Sequence, residues 1–491
     1  MIRAAMDRVR IAGAHDLTLG TLLERLTHIH GPRTLMTTAD ERLSFSQAAD
    51  RVERWAGTIH AEVTGGSRVV LILDGYDLLL ASLAVSRAGA LPVPINSQMR
   101  DEEIDHVVSD AGAAMVVRDP IELSRGGTRL ARSIPARPSD IAALFYTSGT
   151  TGKPKGVELT HRGLLGTMGA ATLFPNDLRR DEAVIALPVA HIYGFTALLG
   201  LAAAGVPVHY FPRFRADMVL DAIEQRRATI FMGVPAMYRL MAEAGAERRD
   251  LKSVRVWASG ADVMPDDLAR RFQKMGASAT LPLVGSVGDA LFVEGYGMVE
   301  LGGGVALKVG SNLLAMPGYR FKVVDDDGRE VSVGQVGELW VSGPGTLRGY
   351  YGDAKATADA LTSDGWVRTG DLARRGLGNT VRFAGRKKDV IKHGGYSVYA
   401  VEVEAALTEH PDILEAAVVG LPDPRKGEVP VAAVRVRDGS TATPSELVAW
   451  ATEHLSDYKA PRQVVIVDEL PRTGTTKVRK RGLIDLFESR G

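Results

Sequence analysis

The stretch Tyr146-Thr-Ser-Gly-Thr-Thr-Gly-Lys-Pro-Lys-Gly-Val-Glu-Leu-Thr-His161 sets the reading of the whole chain. Hydroxyl residues and glycines fill positions 147–152, and Lys153 and Lys155 follow at once. Hydroxyls, exposed backbone N–H groups and ammonium groups are together what a triphosphate requires. Glycine lets the main chain approach phosphate oxygens and adopt the dihedrals that this needs. A Walker loop is excluded by spacing, because that motif has Gly, four residues, then Gly-Lys-Ser/Thr opening a helix. Here Gly152-Lys153 runs into Pro154, and Val157 and Leu159 alternate as in a strand. The residues therefore predict a loop leading into a strand, either a plain linker or a phosphate cradle. In the second case Thr147, Ser148, Gly149, Thr150, Thr151, Gly152, Lys153 and Lys155 are the candidate contacts.

Outward from this loop, apolar β-type runs alternate with helical spacing. Residues 67–73 read as a buried strand, 76–90 as a helix and 90–96 as a strand, with further strands at 183–187, 206–211, 229–232 and 254–258. Repeated β–α–β predicts an α/β protein with parallel sheets covered by helices. Beyond Gly318 the texture changes to short strands at 319–324, 337–342 and 381–384, separated by turns such as Asp327-Gly328. A smaller, distorted barrel-like part over 318–384 is expected from them. Gly385-Arg-Lys-Lys-Asp389 is a charged joint, and 390–491 reads as a small α+β domain. The expected organisation is a large N-terminal domain over 1–384, a hinge at 385–389 and a small C-terminal domain over 390–491.

The 491 residues exceed one ordinary core, in keeping with more than one domain. Lys plus Arg and Asp plus Glu both total 59, so no global field draws nucleic acid, and no nucleic-acid partner is expected. The chain has no cysteine, which excludes disulfides, thiolate metal sites and cysteine nucleophiles. Its first residues carry charges where a signal peptide needs an apolar core. The longest apolar stretches, around 78–90 and 197–208, fall short of the ~20 apolar residues of a spanning helix. A cytoplasmic protein without a transmembrane segment is expected.

In chain order the distinctive segments are the Thr/Ser/Gly loop, Pro188-Val-Ala-His191-Ile-Tyr-Gly-Phe195, Ala258-Ser-Gly-Ala261 and Glu294-Gly-Tyr-Gly-Met-Val-Glu300. They continue with Thr369-Gly-Asp371, Gly385-Arg-Lys-Lys-Asp-Val-Ile-Lys392 and Pro471-Arg-Thr-Gly-Thr-Thr-Lys477. No single segment is decisive. In this order and spacing they resemble the adenylate-forming superfamily of acyl-CoA synthetases, luciferases and peptide-synthetase adenylation domains, across nearly the whole chain. An acyl-CoA synthetase is the nearest likeness.

The resemblance implies that a substrate carboxylate attacks the α-phosphate of ATP, pyrophosphate leaves, and the acyl group passes from the adenylate to a thiol. Such chemistry rests on positioning and charge stabilisation rather than on a protein nucleophile. The resemblance assigns 147–152 to the β- and γ-phosphates, with Lys153 and Lys155 assisting. Tyr296 and Gly297 lie against adenine, helped by Gly260. Glu300 holds Mg²⁺ with a loop hydroxyl such as that of Thr147, Asp371 accepts both ribose hydroxyls, and Arg386 reaches the same ribose. Lys477 bridges the incoming carboxylate and the α-phosphate and is the essential adenylation residue. Taken alone, it reads as part of a basic tail.

His191 borders the carboxylate and the thiol tunnel as a gate in this family; alone it reads as a satisfied histidine at a strand end. The resemblance implies that Lys388 is the hinge about which the small, mobile domain rotates. That rotation presents Lys477 for adenylation and Gly394, Gly395 and Tyr396, the pantetheine tunnel, for thiol transfer. Two positions depart from the family pattern: Val299 replaces a threonine, and Thr476 replaces a glycine. The loop hydroxyls are then expected to supply more of the phosphate and metal contacts.

Amino-acid-activating members carry an aspartate near the second segment, where this chain has none. A plain carboxylic acid, fatty or otherwise apolar, is expected in a pocket formed by His191, Val234, Tyr238, Gly302 and Gly303. The compact interval 300–369 favours coenzyme A as acceptor, with loading of an acyl carrier protein as the alternative. A catalytically weak acyl- or nucleotide-binding relative is the third reading.

Overall fold

The computed structural model describes residues 17–126, 128–147, 154–166, 176, 180–281, 285–437, 439–472 and 478–488. Ser148, Gly149, Thr150, Thr151, Gly152, Lys153, Thr476 and Lys477 lie outside the described residues. The chain forms two compact units: residues 1–309, 314–320 and 341–367, and residues 310–313, 321–340 and 368–491.

The first unit is built on a parallel sheet. Strands Val208–Tyr210, Ala183–Ile185, Ile230–Gly233, Val256–Ser259 and Leu291–Met298 lie side by side in that order, each parallel to its neighbour. Helices Ile192–Ala204, Ala216–Arg226, Pro235–Glu243 and Asp266–Met275 alternate with these strands along the chain. Strands covered on both faces read as short apolar runs, which is why Ala183–Ile185 is buried at every position. Helix Ile192–Ala204 carries no charged residue and ends on Gly205 at φ +71°, where a Cβ would stand 2.4 Å from the His30 ring.

A second parallel sheet joins Leu91–Pro94, Arg68–Leu71 and Met115–Val117. Helix Gly75–Arg87, buried at every residue but Asp77, packs against Leu19–His30 and Phe45–Glu62. The opening stretch folds as its alternation requires. Ile141–Thr147 and Lys155–Thr160 pair as antiparallel strands, and the last pair of their register is Thr147 with Lys155. The short strand Gly349–Tyr350 adds to the outer edge of Lys155–Thr160.

His161 follows this hairpin and makes the fold acid-sensitive. Its buried Nδ1 accepts a hydrogen bond from the Leu19 backbone N–H at 3.1 Å, which requires the neutral ring. Burial, opposed by Asp140, lowers its pKa from 6.5 to about 4. Between those values the unfolded chain binds a proton that the folded one does not. Stability is therefore full above pH 6.5 and falls as pH drops toward 4. Lowering the pH from 7 to 5 should cost wild type about 2 kcal/mol more than it costs His161→Asn, which keeps a neutral acceptor. Urea unfolding of both proteins at the two pH values reads this directly, and equal losses would remove His161 from the account.

In the second unit, strands Arg320–Val324, Val336–Ser342, Val367–Arg375 and Thr380–Arg386 are neighbours in that order, the last two antiparallel. A further sheet runs Tyr396–Tyr399, Val390–His393, Gly427–Val436 and Ile413–Asp423, and Gln463–Ile466 pairs in parallel with Gly427–Val436. Its two faces are both covered. Val418, Ala432 and Val434 pack with Val403, Leu407 and Leu447 of helices Ala400–Leu407 and Pro444–His454. Ala417, Val431 and Ala433, pointing the other way, pack with Leu470, Leu483 and Phe487. This is the period of two that a strand imposes.

Candidate active site

Strand Lys155–Thr160 carries a chain of side-chain contacts at its start. Lys155 Nζ lies 3.0 Å from Asp353 Oδ2 and 5.6 Å from the centre of the Tyr350 ring. The Tyr350 hydroxyl donates to Glu300 Oε1 at 2.9 Å. Burial and the adjacent Glu300 carboxylate push the Tyr350 phenol far above its ordinary pKa, so it keeps its proton and acts as the donor. Glu300 stands in the 3₁₀ turn Val299–Leu301, directly after strand Leu291–Met298. Its second carboxylate oxygen has no hydrogen-bond partner among the described residues. No cluster of three potential metal ligands occurs among them either. A lone carboxylate with an unengaged oxygen fits Mg²⁺, which takes one or two protein carboxylates and completes its shell with phosphate and water.

Tyr296 faces Ala306, and Gly297 faces Gly304, across a ladder with a bulge between them. A Cβ on Gly297 would lie 2.0 Å from the Gly303 carbonyl oxygen, so only glycine fits there. Gly260 ends strand Val256–Ser259 against Tyr193, whose ring carbon Cζ would be 3.3 Å from a Cβ at that position. The next residue, Ala261, sits at φ +69°, a conformation that costs a non-glycine residue ~1–2 kcal/mol. Held strain of this kind gathers at binding sites.

His191 is the N-cap of helix Ile192–Ala204, its Nδ1 accepting from the Tyr193 N–H at 3.3 Å. The cap fixes the ring's orientation at the mouth of an apolar helix. Thr196, one turn on, donates to the Ile192 carbonyl at 2.7 Å, and its Oγ1 would be 3.2 Å from a Cβ on Gly303. Gly302 and Gly303 have φ of +73° and +123°, so backbone geometry already demands glycine at both. Val234 is half-buried between strand Ile230–Gly233 and helix Pro235–Glu243.

Tyr238 departs from the expected pocket lining. It is fully enclosed, its hydroxyl donates to the Ala258 carbonyl at 2.7 Å, and its ring meets Phe231, Trp257 and Phe272 edge-on. It supports the strand end that carries Gly260 and presents no open face of its own. An apolar stretch with one tyrosine reads alike in a pocket wall and in a core, and the sequence contains nothing to separate the two.

In the second unit Asp371 and Arg386 are register partners on neighbouring strands, with Arg386 Nε 2.8 Å from Asp371 Oδ1. Thr369 Oγ1 accepts from the Asp371 N–H at 3.1 Å and donates to the Leu339 carbonyl at 2.6 Å. Between them Gly370 turns the chain at φ +69°. In Thr369-Gly-Asp371 the threonine therefore anchors, the glycine bends, and the aspartate is presented. Lys388 lies in the 3₁₀ turn Lys387–Asp389. Its neighbour Lys387 pairs with Asp326 at 3.1 Å and Glu338 at 3.2 Å.

Gly394 and Gly395, at φ +57° and +84°, are the two central residues of the turn joining Val390–His393 to Tyr396–Tyr399. A two-residue hairpin with both φ positive needs glycine whatever else the loop does. Tyr396, 58% exposed, stacks on Tyr458 with ring centres 4.6 Å apart. Neither the Tyr350–Glu300 contact nor the positive φ at Ala261 is readable from the sequence. A Tyr beside a glycine has no motif value by itself, and a positive φ at alanine has no sequence signal.

Residues 24–133 and 119–351 match the AMP-binding enzyme family, and residues 402–477 match the AMP-binding enzyme C-terminal domain. Feruloyl-CoA synthase of Amycolatopsis sp is 35% identical over 474 residues, covering 89% of this chain and 92% of that protein. Indoleacetate–CoA ligase of Aromatoleum aromaticum is 32% identical over 502 residues, covering 94% and 97%. The ATP-bound structure of MatB from Rhodopseudomonas palustris superposes with a TM-score of 0.84 at 28% identity, covering 96% of this chain and 99% of that one. The chain belongs to the AMP-binding enzymes, the adenylate-forming superfamily. Within it, this is an ATP-dependent, AMP-forming acid–thiol ligase of the acyl-CoA synthetase type. No helix of the described residues is long and apolar enough to cross a membrane.

Proposed function

We propose that this enzyme activates an apolar carboxylic acid bearing an aromatic ring and transfers it to coenzyme A. The likeness to ligases named for ferulate and indoleacetate, each covering about nine-tenths or more of both chains, carries this reading. The uncharged helix Ile192–Ala204 supports it, since Tyr193 and Thr196 abut Gly260 and Gly303 and offer no carboxylate for a substrate ammonium. Apolar walls with few polar groups suit an acid whose carboxylate is its one polar end.

In the first half-reaction the hydroxyls and N–H groups of 147–152, with Lys153, hold the β- and γ-phosphates as the leaving group. Glu300, with a hydroxyl such as that of Thr147, would hold Mg²⁺, which when bound neutralises phosphate charge. Asp371 and Arg386 fix the ribose, and Tyr296, Gly297 and Gly260 take the adenine. His191 gates the acyl site, and Lys477 draws carboxylate and α-phosphate together. In the second half-reaction rotation about Lys388 brings Gly394, Gly395 and Tyr396 to the thiol.

Pyrophosphate release on a panel of carboxylic acids with ATP, followed by thioester detection with free coenzyme A, tests the reading. Aryl acids should give the fastest release and a coenzyme A thioester. Preference for an amino acid or a long-chain fatty acid would overturn the acid class. A thioester formed only on a phosphopantetheinylated carrier protein would overturn the acceptor, and no turnover with any acid would favour a catalytically weak relative.

A further inference from the structure

We propose that Tyr350 is a positioning residue for the Glu300 carboxylate, and that Lys155 is the strut that holds Tyr350 rather than a phosphate ligand. The inference rests on the reading of Glu300 as the carboxylate facing the nucleotide's metal.

Six contacts carry it. Tyr350 pairs with Val157 on the strand that descends from the phosphate loop, so its backbone is tied to the loop's own hairpin. Its N–H donates to Thr357 Oγ1 at 2.9 Å, fixing the residue from the other side. Asp353 caps helix Ala354–Ala360, accepting from the Ala356 N–H at 2.8 Å, and the capped carboxylate also pairs with Lys155 at 3.0 Å. That pairing sets the Lys155 ammonium over the Tyr350 ring, and the ring aims its hydroxyl at Glu300 Oε1.

The physical consequence is rotamer selection. Glu300 stands on a three-residue 3₁₀ turn, and a glutamate side chain there has several rotamers to choose among. A donor fixed at one oxygen selects the rotamer that leaves the other oxygen presented. A hydrogen bond to a carboxylate is strong enough to change the population about tenfold. Lys155, already engaged by Asp353 and by the ring face, contributes through this arrangement.

The test is Mn²⁺ titration of the full-length enzyme in the presence of a non-hydrolysable ATP analogue, without acid, read by water proton relaxation. Tyr350→Phe keeps the ring and its contact with Lys155, and should weaken Mn²⁺ about tenfold while leaving the thermal unfolding temperature and metal-free nucleotide affinity unchanged. Lys155→Met should weaken Mn²⁺ by a smaller factor and also leave metal-free nucleotide affinity unchanged. If Tyr350→Phe binds Mn²⁺ as wild type while Glu300→Gln does not, the positioning role is overturned and the reading of Glu300 stands. If Glu300→Gln binds Mn²⁺ as wild type, that reading falls and takes the inference with it. A large loss of metal-free nucleotide affinity in Lys155→Met would make Lys155 a phosphate ligand and overturn the strut.

Discussion

Lys477→Ala should cut pyrophosphate release to about a hundredth to a thousandth of the wild-type rate, while conversion of a preformed acyl-adenylate to the coenzyme A thioester continues. The first half-reaction brings two anions together, and one ammonium placed between them offsets the charge that builds up as they approach. Loss of a single preorganised group of this kind costs about 10²–10³ in rate. Once the adenylate exists, that charge problem has passed and the lysine has no further electrostatic task. The described residues on either side of 473–477 are held by backbone and side-chain contacts. Arg472 and Val478 form an isolated β-bridge, the Arg479 N–H donates to the Pro471 carbonyl at 2.7 Å, and Arg472 holds the buried Glu415 carboxylate at 2.7 Å. The match to the family's C-terminal domain also runs to residue 477. Rapid-quench measurement of the two half-reactions decides the matter; equal damage to both would assign Lys477 to general folding instead.

Asp371→Ala should raise the KM for ATP roughly a hundredfold with a smaller change in kcat. Two hydrogen bonds from ribose hydroxyls to a carboxylate, at about 1.5 kcal/mol each, the low end of the range for charged acceptors, account for an effect of that order. Asp371 is suited to the task because its position is overdetermined. Thr369 fixes its backbone, Gly370 sets the approach, and Arg386 stands 2.8 Å from one carboxylate oxygen. Substitution also leaves Arg386 without that carboxylate, so thermal unfolding must be measured alongside the kinetics. The discriminating reagent is 2′-deoxy-ATP. Wild type should bind it more weakly than ATP, whereas Asp371→Ala should hardly distinguish the two, because the contact has already gone. A variant that still discriminates as wild type does would detach Asp371 from the ribose.

The parallel sheet was legible because strands such as Ala183–Ile185 are covered on both faces and must read as apolar runs. The strand Lys155–Thr160 was legible from Pro154 and the alternation of Val157 and Leu159, which a helix cannot use, whereas its antiparallel partner Ile141–Thr147 was not anticipated. Contacts set by register were not legible. Asp371 and Arg386 meet across a ladder with a bulge between Leu372 and Ala373, and no spacing rule finds such a pair. Tyr350 reaches Glu300 across fifty positions of chain. Gly394 and Gly395 suggested close approach of a ligand, yet a tight hairpin turn alone requires them. Tyr238 was misplaced for the opposite reason, since its chemistry suits a pocket and only its enclosure reveals a core role.

The doubly covered sheet near the C-terminus has an evolutionary consequence. Its apolar clusters, spanning Ile391 to Val464 on one face and Ala417 to Phe487 on the other, are completed by residues of that same stretch. A segment that supplies its own interior can drift, be recombined or be grafted onto a different acid-binding body without exposing a raw hydrophobic face. Heredity can thus treat its interior as a cassette, free to vary on its own terms.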